Sequence, residues 1–181
     1  MVGTVMSRMI SYLGPDTARI NHAMKVYGFA TALWEEEAIA SSLSEEDERK
    51  ETLLLAAILH DIGVLEAERK HQSNEGHYQE MEGPAVADEI LSSSDIDFRI
   101  RARVCYLVGH HHSYHLIDDL DFQILCEAEE LVNLEEEQID LHTVLQARKI
   151  SMRTAGAVRI LDSYLLCSHS PETISLCASS M

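Results

Sequence analysis

An uninterrupted apolar stretch, residues 53–59, ends directly in His60 and Asp61, and Gly63 follows two residues later. A helix that is apolar on all sides is buried, so this stretch predicts a central helix that carries both polar residues to the edge of the core. Burying a carboxylate beside an imidazole costs free energy unless both groups are paired. A divalent cation would pair them. The alternative is a plain helix end, with His60 near the negative end of the helix dipole.

The composition limits the class of protein. The 181 residues, 46% hydrophobic and 25% charged, predict a single helical domain, residues 1–167, and a serine-rich frayed tail, residues 168–181. The net charge of −17 argues against duplex nucleic acid as a partner, because its phosphates require a basic surface. No apolar run is long enough to span a membrane, and the four cysteines show no paired spacing. We therefore expect a cytoplasmic protein without a membrane partner. The sequence is also compatible with a homodimer.

Helical periodicity runs through most of the chain, and no segment alternates polar and apolar residues as a strand would. Ser44 is the expected N-cap of the third helix, and Pro84 is expected in the first turn of the fifth. These patterns predict an all-α bundle of about seven to nine helices. The predicted helices cover residues 2–13, 17–34, 44–59, 64–70, 83–92, 95–111, 121–133, 138–150 and 152–166.

Four polar residues are expected at buried or half-buried positions on three different helices: His22, His60, Asp61 and Glu129. Imidazole and carboxylate are ligands that suit Mn, Fe, Co, Ni and Zn, and bundles build metal sites from facing helices. His110 and His111 end a fourth predicted helix. Adjacent residues on a helix point about 100° apart, so such a pair can serve one site only where the helix stops.

The order of these residues resembles a known family. The sequence His22, then His60-Asp61, then His110-His111, then Glu129 looks like the H…HD…(HH)…D signature of the HD-domain superfamily of metal-dependent phosphohydrolases. The stretches "LLLAAILHDIG" and "RVCYLVGHHHSYHLIDDLDFQIL" carry the resemblance most clearly. The family implies an all-α fold in which five or six core helices surround one or two divalent cations.

The resemblance assigns a role to each matching residue of a first metal site. His22 matches the family's first histidine ligand, and His60 and Asp61 match its HD pair, in which the aspartate can bridge two metals. Glu129 stands where the family usually has an aspartate, so its longer side chain must reach the metal differently.

A second metal site is also implied. His110 and His111 resemble the histidines that hold the second metal in two-metal members. Many members have a further histidine before the helix that is predicted to start near Gly83, and this chain has Gln79-Glu80 there, so Glu80 is a candidate ligand. His112 and His115 are expected in a loop, outside the ligand set.

The expected function is hydrolysis of a phosphate ester of a nucleotide or small phosphorylated metabolite by a metal-activated water. Asp61, His110 and His111 are the expected catalytic residues, and the cofactor is a divalent ion such as Mn, Fe, Co, Ni, Zn or Mg. The cations that are candidate phosphate contacts are Arg19, Lys25, Lys70 and Arg103. A di-iron oxygenase and a non-catalytic nucleotide-binding module are the alternatives.

Overall fold

The computed structural model describes residues 1–42, 47–92, 94–167, 169, 171–172 and 174–175. Within them the chain forms nine α-helices and no strand, which confirms the all-α prediction. The helices are α1 (Val2–Leu13), α2 (Thr17–Ser41), α3 (Glu48–Leu59), α4 (Val64–His71), α5 (Gly76–Ser92), α6 (Phe98–Val108), α7 (Leu120–Glu136), α8 (Leu141–Ile150) and α9 (Ala155–Leu161). None of these helices is both long enough and apolar enough to cross a bilayer. The predicted tail, residues 168–181, lies largely outside the described residues.

Aspartate side chains begin five of these helices. Their carboxylates accept a backbone N–H at the helix start, which satisfies a donor that would otherwise lack a partner. The five residues are Asp16, Asp47, Asp97, Asp119 and Asp140. The expected cap Ser44 lies outside the described residues, and α3 begins at Glu48 with Asp47 as its cap.

The fifth helix begins earlier than the sequence predicted. α5 starts at Gly76, so Pro84 lies inside the helix rather than in its first turn. Proline has no N–H to donate to the carbonyl of Glu80, four residues earlier, and this costs the helix one backbone hydrogen bond. Packing of α5 against both α4 and α6 keeps the helix continuous across that gap.

The apolar stretch forms the centre of the bundle, as expected. Every residue from Thr52 to Leu59 is buried, and α3 packs against α1, α2, α6 and α7. The largest fully buried side chains around it include Trp34 of α2 and Phe122 of α7. This packing brings the C-terminal end of α3 next to α2, to the end of α6 and to α7, which are the elements that carry the other candidate ligands.

Candidate metal centre

α3 ends at Leu59, and the next four residues turn into α4. The N–H groups of Ile62 and Val64 donate to the carbonyls of Leu59 and Asp61 at 2.9 and 3.0 Å. His60 is fully buried in this turn, whereas the Asp61 side chain is 30% exposed. The turn therefore holds an imidazole in the interior and a carboxylate within reach of solvent.

Three histidine rings converge on the Asp61 carboxylate. The Nε2 atoms of His22 and His60 lie 3.2 Å apart, and they lie 3.7 and 3.4 Å from Asp61 Oδ2. The Nε2 atom of His111 lies 3.4 Å from the other oxygen, Oδ1. His22 comes from α2 and His111 from the turn after α6, so three parts of the chain that are distant in sequence meet here.

The opposite ring nitrogen of each histidine has an acceptor of its own. Nδ1 of His60 lies 3.0 Å from the carbonyl of Ala57, and Nδ1 of His111 lies 2.9 Å from that of Val108. Nδ1 of His22 lies 2.9 Å from a carboxylate oxygen of Glu136. These contacts assign the proton to Nδ1 in each neutral ring, so each Nε2 presents a lone pair to the cluster.

The donor set fits a divalent cation. His22, His60 and Asp61 form one group whose ligand atoms lie within 4.8 Å of one another, and Asp61, His111 and His112 form a second. Two nitrogens that bind one ion at about 2.1 Å lie roughly 3.0–3.4 Å apart. The 3.2 Å between the Nε2 atoms of His22 and His60 falls in that range. Lone pairs this close repel each other unless a positive charge lies between them.

Buried polar atoms without hydrogen-bond partners concentrate at the same place. In the described residues, five buried side-chain oxygens and nitrogens lack a partner, and four of them belong to this cluster. The four are Asp61 Oδ1, His111 Nε2, His112 Nε2 and Glu129 Oε2. Such atoms are nearly always paired in folded proteins, so their clustering is what a site for an additional group requires.

The electrostatics of the cluster favour positive charge. Burial lowers the pKa of His60, but the carboxylates of Asp61 and Glu129 outweigh burial and raise that pKa to about 9. Burial also lowers the pKa of His111, and the same two carboxylates again prevail and raise it. Burial raises the pKa of Asp61, yet His60 and His111 hold it well below its usual range. A cation bound between these groups would satisfy the same carboxylates.

His112 belongs to the cluster, whereas the sequence predicts a loop position for it outside the ligand set. It follows His111 in the turn after α6, and its Nδ1 lies 3.8 Å from Oε1 of Glu129. Glu129 is 3% exposed and projects from α7 beside the second group. Burial and the neighbouring His111 lower the pKa of His112, which favours the neutral form that binds metals.

The structure does not bring His110 into either group. Its Nδ1 donates to the carbonyl of Tyr106 at 2.7 Å, and its ring stacks on the Tyr106 ring with centroids 4.4 Å apart. The reason is that α6 ends at Val108, three residues before the predicted end. The turn that follows presents His111 and His112 to Asp61, and His110 folds back on its own helix.

Glu80 lies next to the cluster and supports the turn rather than joining a ligand group. Its Oε1 accepts a hydrogen bond from the backbone N–H of His112 at 3.0 Å. Its Oε2 accepts one from the Ser113 hydroxyl at 3.2 Å. Both carboxylate oxygens of Glu80 therefore fix the segment that carries His112.

Each of the four candidate phosphate contacts is already paired with carboxylates. Arg19 contacts Asp16 and Glu68, Lys25 contacts Glu135 and Glu136, Lys70 contacts Glu66 and Glu82, and Arg103 contacts Asp118 and Asp121. A phosphate group that approached any of these cations would have to displace a carboxylate first.

Comparison with family models gives a match to the HD domain over residues 19–151. The matched region runs from the first turn of α2 to the end of α8 and contains every residue of both ligand groups. Comparison with curated proteins and with solved structures gives no significant match.

Proposed function

Because the chain belongs to the HD-domain family, we propose that it is a metal-dependent phosphohydrolase that cleaves a phosphate ester of a nucleotide or small phosphorylated metabolite. The observation that supports this most is the convergence of His22, His60 and Asp61. Their ligand atoms lie within 4.8 Å of one another, and the spacing of the two imidazole nitrogens suits a single cation.

In the proposed reaction, residues of the first group would bind the metal, and one of them would also orient the attacking water. His22, His60 and Asp61 would hold the first cation, and a bound divalent ion supplies an acidified water and polarises the phosphoryl oxygen. Of these three residues, Asp61 has the greatest access to solvent, at 30% side-chain exposure. Its carboxylate can therefore accept a hydrogen bond from the attacking water and orient it.

The second group would hold a second cation. Asp61 offers Oδ2 to the histidines of the first group and Oδ1 to His111, so one carboxylate serves both groups. His112 completes the second group, and Glu129 lies beside it. Asp61, His111 and His112 would hold this ion, which would supply further positive charge to stabilise the phosphoryl group.

A cavity of about 410 Å³ is the proposed place for the organic part of the substrate. Tyr114, Glu130 and Arg153 contribute to its lining, as does Cys126. The Cys126 thiol donates to the backbone carbonyl of His111 at 3.4 Å, so one residue of the cavity lining contacts the turn that carries the second group. A volume of this size suits a small ligand with aromatic and polar parts.

One observation also favours a di-iron oxygenase. The shared position of Asp61 between two ligand groups, with histidines in both, suits a pair of irons as well as a pair of hydrolytic metals. Two irons per chain, with oxygen consumption and no phosphate release, would favour the oxygenase. Tight nucleotide binding that needs no metal would instead indicate a binding module.

The test combines metal analysis with a phosphate-release assay. Protein purified without an affinity tag is analysed by mass spectrometry for bound metal, then loaded with Mn, Co, Zn or Fe(II) and assayed on nucleoside monophosphates and sugar phosphates. We expect Asp61→Ala to lose metal binding and activity by more than about 100-fold, because a ligand shared by both groups is removed. Its helical circular dichroism should persist, since the apolar side chains of α3 supply the central burial.

His110→Ala is the matched comparison, because His110 lies outside both groups. We expect it to keep its metal. A metal-loaded wild-type protein without activity on the whole panel would contradict the proposed reaction. Metal retention in Asp61→Ala would contradict the proposed site.

A further inference from the structure

His22 differs from His60 and His111 in the residue that accepts the hydrogen bond from its Nδ1–H. His60 and His111 each donate Nδ1–H to a carbonyl three residues earlier, at the end of their own helix. Carbonyls at a helix end have no intrahelical donor, so they are available. His22 lies within α2, where the backbone carbonyls are taken by the helix itself. Its partner therefore comes from another helix.

That partner is Glu136, the last residue of α7. One of its oxygens, Oε2, lies 2.9 Å from Nδ1 of His22. Its other oxygen, Oε1, lies 3.1 Å from the ammonium of Lys25, one turn along α2 from His22. Lys25 also contacts Glu135 at 2.6 Å. One oxygen of the Glu136 carboxylate thus contacts the Lys25 ammonium, and the other accepts a hydrogen bond from the His22 imidazole.

The contact lies at the solvent-facing edge of the cluster, on the side of the His22 ring opposite His60. The His22 side chain is 13% exposed and that of Glu136 is 33% exposed. Glu136 lies seven residues after Glu129, which is about two turns of α7 and places both on the same side of that helix. α7 therefore contributes two carboxylates toward the cluster, one beside the second ligand group and one behind the first.

We propose that Glu136 is a positioning residue for His22: it fixes the Nδ1–H tautomer and the ring orientation, so that Nε2 faces the cation shared with His60 and Asp61. Lys25 holds Glu136 in place. This inference rests on the proposed function, because it requires a metal at the first group. Carboxylates behind metal-binding histidines raise the basicity of the ligand, and their removal lowers metal affinity about 10- to 100-fold.

The experiment compares three variants by Zn²⁺ titration calorimetry. Glu136→Ala removes the acceptor, and we expect its affinity to fall about 10- to 100-fold. Glu136→Gln keeps an acceptor oxygen, so we expect it to recover most of that loss. Glu135→Ala is the matched control, because it removes an equal charge and another partner of Lys25 but no contact with His22. We expect its affinity to stay near that of the wild type.

Imidazole nitrogen NMR of the Zn²⁺-loaded wild type supplies a second readout. We expect His22 to carry its proton on Nδ1 and to bind the metal through Nε2. Metal binding through Nδ1, or equal affinity losses in Glu135→Ala and Glu136→Ala, would overturn the proposal.

The same experiment separates this inference from the proposed function. A wild-type protein that binds Zn²⁺ with the same affinity as Glu136→Ala would overturn the positioning role alone. A wild-type protein that binds no metal would overturn both. Full Zn²⁺ binding in the calorimetry, combined with no phosphate release in the assay on nucleoside monophosphates and sugar phosphates, would overturn only the reaction class.

Discussion

At the scale of single residues, Asp61 organises the cluster. Its Oδ2 faces the Nε2 atoms of His22 and His60, and its Oδ1 faces that of His111. In the absence of metal, protons must supply the positive charge that these atoms require. This explains why the pKa of His60, which burial alone would lower, is raised to about 9 by Asp61 and Glu129.

The raised pKa of His60 predicts a pH dependence of metal binding. Below about pH 9 a cation must displace the proton of His60, so we expect affinity for Zn²⁺ or Mn²⁺ to rise between pH 6.5 and 9 and then level off. The stability of the metal-free protein has the opposite pH dependence. A raised pKa stabilises the metal-free fold below pH 6.5, and this contribution is lost as the pH rises through about 9.

Titration calorimetry in buffers of different ionisation enthalpy would measure the protons released on binding. Thermal unfolding of the metal-free protein over the same range would measure the loss of stability. An affinity for metal that does not change between pH 6.5 and 9 would contradict this assignment.

Single residues also show where sequence reasoning stops. His60 and Asp61 could be predicted, because an apolar run that ends in two polar residues places them at the core edge. His112 could not be separated from His110, because the choice depends on whether α6 ends at Val108 or three residues later. Glu136 could not be found at all, because its contact with His22 joins residues 114 positions apart.

At the scale of elements, the turn after Asp61 is held by close backbone contact with α5. A Cβ atom added at Gly63 would lie 2.5 Å from both the carbonyl oxygen of Gln79 and the backbone nitrogen of Gly83. Both are main-chain atoms, so neither can move aside as a flexible side chain would. The glycine of this turn is therefore required by the packing of α5 on the segment that carries His60 and Asp61.

Gly63→Ala tests this packing. We expect it to lower the free energy of unfolding by about 1–3 kcal/mol, because the turn and α5 must separate. We also expect weaker metal binding, since Asp61 lies two residues away. Gly28→Ala is the control: nothing lies within 4 Å of its added Cβ on α2, so alanine should stabilise the helix by up to about 1 kcal/mol. Urea unfolding measures the free energy of unfolding of both variants. An unchanged free energy of unfolding in Gly63→Ala would refute the close contact between the turn and α5.

Helix positions were easier to predict than helix ends. The bounds of α1 and the burial of α3 follow from apolar spacing alone. The start of α5 does not, since Pro84 is a reasonable first-turn residue by its local chemistry. Its place inside the helix depends on packing against α4 and α6, which local sequence does not contain.

At the scale of the whole molecule, the buried central helix α3 determines where the site lies, and the acidic composition determines the charge around it. α3 packs against α1, α2, α6 and α7 and sets where the candidate ligands meet, whereas the net charge of −17 repels anions in general. Bound cations would reverse that charge locally at the cluster. The fold, the family and the general kind of site could thus be inferred from sequence, but the pairing of every candidate cation with a carboxylate could not.

An anomalous difference map from crystals grown with Mn²⁺ or Zn²⁺ would test the metal site most directly. We predict a peak about 2.0–2.2 Å from the Nε2 atoms of both His22 and His60 and from a carboxylate oxygen of Asp61. A map with full density for these side chains and no peak among them, in crystals that hold the metal elsewhere, would contradict it.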